Sequence, residues 1–463
     1  MTERKRLFNL PWHTLGIIFT LAWPTMIEQL LHTAVQYIDT AMVGTLGTEA
    51  TAAVGSTTTV SWLIGSTVSA IGVGFLSYIS QAMGRGDNSA AKRASAQSIL
   101  AVLVIGSVFT ALTLSLSGVV PRLMMVEESI RPIAVKYFFI IYLPMLPRTA
   151  SMIFGTVLRA AGDTKTPLRV GITVNAVNVL LNFALIYPTR EITLFSRSVK
   201  ILGAGLGVIG AAIATAIAFT VGGILMTAAL LCHKEVSPIG ESWRPDGRIL
   251  ASCLKVALPN GLQRFGTSFG YVVFAAMVNS IGGAATAAHT IANTVESAFY
   301  IPGYGMQSAA ATLAGRAVGK DSEEDLTDLS RMIIFVEVVL MIISGGILFA
   351  TAPFMMRIFS SDAAVVALGA LVLRMVAVSE PFYGISIIIE GMMQGMGKTV
   401  MPFITNIFGM WLVRIVGTYI TVVVLGGGLA AAWGCMILHN LAIFTVFFAC
   451  YITGKWNPLQ KRT

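Results

Sequence analysis

The stretch "VQYIDTAMVG", residues 35–44, places one acid, Asp39, inside an apolar run that extends over about 15–45. A run of that length crosses a roughly 30 Å hydrocarbon core as a helix, which satisfies its own backbone hydrogen bonds in lipid. The pattern continues outward from there. Of the 463 residues, 55% are hydrophobic and only 11% charged, against about 25% charged in a soluble domain. The chain therefore reads as an all-α polytopic membrane protein. Twelve spans are expected, near 15–45, 50–82, 95–120, 131–158, 166–188, 204–232, 251–280, 285–318, 330–352, 364–394, 400–425 and 428–453. The N-terminus does not read as a cleavable signal, because its apolar segment outruns an h-region and contains Pro24.

The tripeptide "AMV" at 41–43 recurs at 276–278, and this offset of 235 residues links other features. Pro24 falls on Pro259, Gly47 on Gly282, "ATAA" at 50–53 on "ATAA" at 285–288, and Gly84 on Gly319. "GDTKTP" (162–167) falls on "GKTVMP" (397–402). The offset then shrinks by about twelve, because the first half carries a longer loop, "TREITLFSRSVK", at 189–200. Two pseudo-symmetric six-helix lobes are expected, over 1–232 and 251–463, joined by a polar cytoplasmic linker at 233–250. An even number of spans per half makes the halves parallel, an arrangement found in secondary transporters.

The net charge of +9 follows from an excess of Lys and Arg on one side, the positive-inside pattern. Arg4, Lys5, Arg6, Arg85, Lys92, Arg93, Lys165, Arg169, Lys320, Lys398, Lys461 and Arg462 are among the residues assigned to the cytoplasm, with both termini. Arg122, Arg131, Lys136, Arg190, Arg197, Lys200 and Arg357 fall opposite. Nothing here is a nucleic-acid footprint. Cys232, Cys253, Cys435 and Cys450 lack CxxC spacing and read as packing residues.

These residues carry a family resemblance. "DTAMVGTLG" (39–47) and "LRAAGDTKTP" (158–167), with its degenerate copy "MQGMGKTVMP" (393–402), resemble signatures of the multidrug and toxic compound extrusion (MATE) transporters. Pro24, "NVLLN" in the fifth span and "GAAIAT" in the sixth fit as well. The resemblance implies two lobes around a V-shaped cavity and export of amphipathic, usually cationic compounds in exchange for Na⁺ or H⁺.

Asp39 shares one helical stripe with Glu28, His32 and Val35, with Gln36 beside it. A carboxylate at the bilayer centre costs about 2.5–3.5 kcal/mol on insertion scales, so it is either a polar clamp between helices or a coupling-ion site. Asn175, Asn178 and Asn182 line one face of the fifth span, either as interhelical glue or as ligands. The resemblance implies an ion site at Asp39, Asn178, Asn182 and Thr215, holding H⁺ or Na⁺. Members of the family can have an aspartate where Asn182 stands, and losing that charge tilts the reading towards H⁺.

The second half has Phe274 where the first has Asp39. It carries its own polar set: His289, Asn293, Glu296 and Tyr300 in the eighth span, Gln263 and Arg264 in the seventh, Glu380, Tyr383, Glu390 and Gln394 in the tenth, and Arg414 in the eleventh. Arg264 or Arg414 is expected to pair with Glu296 or Glu390, since an unpaired buried charge is costly. The alternatives are an interhelical latch and a substrate or proton-relay role. Met392, Met393 and Met396 read as core or as part of a deformable apolar cavity.

"GLGVIG" (205–210) spells GxGxxG, but no strand–helix unit is expected around it and no acid follows about 20 residues on. "GMGKT" (395–399) lacks the earlier glycine of a P-loop. No nucleotide site, cofactor or enzymatic nucleophile set is expected. The reading is a monomeric exporter of amphipathic cations in the cell membrane, with a lipid-linked precursor flippase as the alternative.

Overall fold

The computed structural model describes residues 11–124, 126–194 and 197–460. Arg4, Lys5, Arg6, Lys461 and Arg462 lie outside the described residues. Twelve long helical segments follow a 3-10 turn at Trp12–Thr14. They are α1 (Leu15–Gly44), α2 (Thr48–Gly84), α3 (Asn88–Ser115), a bent pair formed by α5 (Arg131–Tyr142) and α6 (Met145–Ala160), α7 (Lys165–Leu185) and α8 (Gly207–Cys232). A one-turn helix, α4 (Val120–Leu123), precedes the bent pair. The second set is α9 (Gly247–Asn279), α10 (Gly283–Gly319), α11 (Glu323–Phe359), a bent pair of α12 (Ala363–Ala377) and α13 (Glu380–Gly395), a composite eleventh span, and α16 (Leu429–Ile452). The eleventh span runs from α14 (Val400–Phe408) through a π-helical stretch at Gly409–Ile415, three residues of α15 (Val416–Thr418) and a second π stretch at Tyr419–Val424.

Eight of these helices are long and apolar enough to cross a membrane, ten when each bent pair counts as one span. The remaining two, α9 and α10, are long enough but carry the polar set of the second half, including Asn260, Gln263, Arg264, His289 and Glu296.

The repeat is visible in the backbone. Gly47 and Gly282 both hold positive φ (112° and 135°), and so do Gly162 and Gly397 (87° and 80°). Each pair is related by the 235-residue offset and sits in a turn that only glycine enters without strain. Pro24 and Pro259 both lie inside helices.

The described residues of 189–200, expected as a loop, lie in two paired strands instead. Strand β1 (Pro188–Leu194) pairs antiparallel with β2 (Arg197–Ala204), with Glu191 opposite Lys200 and Thr193 opposite Ser198. A strand therefore does precede "GLGVIG", contrary to expectation. It belongs to a two-stranded antiparallel hairpin, so the parallel βαβ unit of a dinucleotide fold is still missing.

Contacts divide the chain into two compact units: Met1–Gln29, Leu76–Asp87 and Ala251–Thr463 in one, Leu30–Phe75 and Asn88–Leu250 in the other. The boundaries cut through α1 and α2. In the first unit, one core gathers Phe274, Leu348, Val372, Leu373 and Trp433. A second gathers Ile18, Met306, Leu313, Met392, Met393, Met396 and Phe447, so the methionine trio is core. The Thr25 hydroxyl donates to the Gly305 carbonyl at 2.8 Å, and Ser77 and Gln81 donate to the Gly395 carbonyl at 3.0 and 3.1 Å. Within this unit α2 crosses α10 at two glycines. A Cβ built on Gly84 would lie 2.9 Å from Gly319 Cα and inside the Arg316 carbonyl; one built on Gly319 would lie 2.9 Å from Gly84 Cα and inside the Gln81 carbonyl. Small residues permit such approach between membrane helices. In the second unit Phe138, Ile153, Phe154, Leu158, Ala212 and Leu230 are buried. There Gln97 clamps the linker, donating to the Arg244 carbonyl and accepting from Asp246 N–H, both at 3.0 Å. The four cysteines are all free.

Candidate functional site

The proline-containing helix α1 carries Asp39 close to its C-terminal end, and α7 and α8 bring amides and a hydroxyl to it. Asn182 Nδ2 donates to Asp39 Oδ1 at 2.6 Å and to Asn178 Oδ1 at 3.1 Å. Asn178 Nδ2 in turn donates to Thr215 Oγ1 at 3.1 Å. One continuous polar chain thus joins α1, α7 and α8. Asn182 and Asn178 are buried, Asp39 and Thr215 half-buried. Asn182 Oδ1 is buried without a hydrogen-bond partner. Asn175 Nδ2 on α7 reaches the Leu31 carbonyl at 3.3 Å, and Tyr187, just beyond α7, donates to the Met42 carbonyl at 3.3 Å, so α1 is tied on either side of the set.

The structure thus brings Asp39, Asn178, Asn182 and Thr215 together, with a single carboxylate and one open amide oxygen. No group of three or more His, Cys, Asp or Glu that could hold a metal occurs among the described residues. Along α1, Glu28 is half-buried while His32 and Gln36 are exposed. Glu28 belongs to the first compact unit and His32, Gln36 and Asp39 to the second.

In the second half the expected ion pairs are not formed: neither Arg264 nor Arg414 lies within salt-bridge distance of Glu296 or Glu390. Arg414 is buried and instead covers two aromatic rings, 4.1 Å from the Phe274 centroid and 4.7 Å from that of Tyr271. Cation–π contact takes the place of a carboxylate. Glu390 is held by amides: Gln263 at 2.8 Å, Gln394 at 3.0 Å and Asn406 at 3.1 Å. His289 Nδ1 accepts from Trp433 Nε1 at 3.2 Å. Tyr383 and Tyr304 share a hydroxyl bond at 2.9 Å, and Tyr300 sets its ring edgewise to both. Glu296 is buried and Asn293 exposed.

Two charged residues escaped the sequence reading. Glu337, in "FVEVV" of α11, is fully buried, and neither carboxylate oxygen has a partner. Gly303 and Gly384 make room for it: a Cβ on either would come within 2.7 and 3.0 Å of Glu337 Oε1. Arg148 on α6 lies 4.6 Å from the Phe219 ring centroid, with Nη1 buried and unpartnered. Both are solitary charges in apolar runs, as Asp39 is, but neither belongs to an i, i+4 stripe.

The MatE family profile matches residues 24–184 and again 259–420, most of the chain. This chain belongs to the MatE family. Its two MatE segments begin at Pro24 and Pro259, the same offset of 235 that relates the glycine turns. MatE proteins are transporters, not enzymes, and are integral to membranes. A probable multidrug resistance protein NorM of Thermotoga maritima is 28% identical over 443 residues, covering 95% of this chain and 92% of the relative. A probable multidrug resistance protein YpnP of Bacillus subtilis is 25% identical, covering 96% of each. Among solved structures, the outward-facing conformation of a multidrug resistance MATE family transporter of the MOP superfamily superposes with a TM-score of 0.87 at 22% identity, covering 96% of each chain. A MOP superfamily transporter from Pyrococcus furiosus matches with the same score and coverage. The MatE fold thus extends over 96% of the chain.

Proposed function

We propose that this MatE protein is a secondary active exporter of amphipathic cations, working as a monomer in the cell membrane with both termini cytoplasmic. Asp39 is its coupling carboxylate. The observation that carries this reading is the Asp39–Asn182–Asn178–Thr215 chain, which ties one carboxylate to two further helices through neutral groups only. A carboxylate out of bulk water exchanges its charge for a proton or a bound cation. Neutralising Asp39 weakens the charge-assisted bond that holds Asn182, so ion binding acts directly on the packing of α1 against α7. Alternating access between the lobes 1–232 and 251–463 then expels the drug, and ion release restores the site.

The proton is the favoured ion, because the set contains one carboxylate only. Na⁺ would take Asp39, the open Asn182 oxygen, Asn178 and Thr215 as oxygen ligands. A charge moving down 100 mV supplies about 2.3 kcal/mol and a tenfold pH gradient about 1.4 kcal/mol, so no nucleotide or other cofactor is required. Arg148 favours a second reading, a flippase for lipid-linked precursors, since its buried unpartnered nitrogen suits an anionic group.

Efflux of a fluorescent cation from proteoliposomes, under an imposed pH or Na⁺ gradient, tests this for wild type and Asp39→Asn. Gradient-driven efflux should be lost in the variant; unchanged efflux would sink the role of Asp39. Transport of an anionic pyrophosphoryl lipid with no cation efflux would favour the flippase.

A further inference from the structure

Between the C-terminal end of α11 and one face of α12 lies a groove of about 650 Å³ in the first compact unit. Arg357, Ser360 and Ser361 line one end, and Arg374 lines the other. The floor is the small-residue face of α12, at Ala363, Ala367 and Ala370. Both arginines are exposed, and neither has a carboxylate within salt-bridge distance among the described residues. Arg374 Nε donates to the Phe349 carbonyl at 3.4 Å, with the guanidinium 5.6 Å from that ring; its other N–H groups remain available.

The surroundings are apolar and open outward. Inward of Arg357, Phe349 is 47% exposed, Leu371 49% and Val378 65%, as helix faces against acyl chains would be. Arg374 is the twelfth residue of α12, about 16 Å along the helix from its start. A guanidinium at that depth needs an anion or a path for its side chain back to the interface. The helix terminus itself is already satisfied, because Asp362 Oδ1 accepts from Ala364 and Val365 N–H at 2.8 and 3.4 Å. The two arginines are thus the anion-seeking groups of the groove. Guanidinium forks match phosphate oxygens.

We propose that this groove binds an anionic phospholipid, its phosphate held by Arg357 and Arg374 and its acyl chains running inward against Phe349, Leu371 and Val378. The basic-residue distribution assigns this end of α11 to the exterior, so the lipid comes from the outer leaflet. The assignment is independent of Asp39.

Native mass spectrometry of the detergent-solubilised protein tests the site. The probes are phosphatidylglycerol and phosphatidylcholine with identical acyl chains, and excess inorganic phosphate. Wild type should retain phosphatidylglycerol at least tenfold more tightly than phosphatidylcholine. R357Q/R374Q should lose that preference, and Arg357→Gln alone, at the solvent end of the groove, should weaken it. Phosphate should not displace the lipid. Equal retention of both lipids by wild type, or an undiminished preference in both variants, would overturn the proposal. Displacement by inorganic phosphate would reassign the groove to small anions and likewise overturn it. An unchanged thermal midpoint of Arg357→Gln in phosphatidylcholine is expected; if only the double variant loses the preference and it also unfolds, the proposal fails.

Discussion

The amide of Asn182 divides its hydrogens between Asp39 Oδ1, 2.6 Å away on α1, and Asn178 Oδ1, 3.1 Å away on its own helix. Asn182→Asp would set a second carboxylate against Asp39. Two such groups at hydrogen-bond distance do not both stay ionised without a cation between them. Efflux should then become Na⁺-dependent, with Na⁺ bound roughly tenfold more tightly, about 1.4 kcal/mol. The readout is proteoliposome efflux against Na⁺ concentration; identical Na⁺ curves for wild type and variant would show that no such site is latent here.

Gly84 and Gly319 meet Cα to Cα, each against the other helix's carbonyl. Gly84→Ala or Gly319→Ala should destabilise the protein by about 1–3 kcal/mol through overpacking. Gly346, in the same unit with nothing within 4 Å, supplies the control. Gly346→Ala should be neutral or slightly stabilising. Thermal midpoints in detergent separate the two classes, and a neutral Gly84→Ala would mean the helices part at no cost.

Glu337 is a buried carboxyl without partners, which lowers stability unless something offsets it. Glu337→Met, of similar volume and apolar, should therefore raise the detergent midpoint by a few degrees, about 1–3 kcal/mol. A fall instead would indicate that Glu337 is satisfied by a group such as buried water.

Glu390 depends on three amide donors. Gln263→Leu removes the 2.8 Å one and should cost about 1–3 kcal/mol, because the carboxylate loses a charge-assisted bond at a semi-buried site. Phe265→Leu, on the exposed side of α9, should cost far less. Matching losses for the two would show that the amide cage contributes nothing specific.

Much of the fold was legible because lipid imposes simple rules. The spans follow from apolar run length, and the repeat from glycines and prolines that the backbone needs at Gly47, Gly282, Gly162, Gly397, Pro24 and Pro259. The Asp39 set was legible too, since i, i+3 and i, i+4 spacing places Asn178 and Asn182 on one face, although the resemblance was needed to bring α1 and α8 to it. The hairpin was missed, because the alternation in each strand, Ile192–Thr193–Leu194 and Val199–Lys200–Ile201, is only three residues long. Arg414 was misassigned for a different reason. Composition says that a buried guanidinium needs compensation, but helix rotation decides whether a carboxylate or the rings of Tyr271 and Phe274 provide it. Glu337 and Arg148 were missed because solitary charges leave no periodic signal.

The α2–α10 crossing also bears on how such a chain arose. Gly84 touches Gly319 and the carbonyl of Arg316, while Gly319 touches Gly84 and the carbonyl of Gln81, and Arg316 stands 235 positions after Gln81. Every contact is answered by its own counterpart, as in an isologous dimer interface. The crossing is one contact used twice, which a duplicated six-helix unit supplies from a single glycine and a single carbonyl per copy. Asp39 and Phe274 record the divergence of the copies: the joint stayed symmetric while the chemistry on either side of it did not.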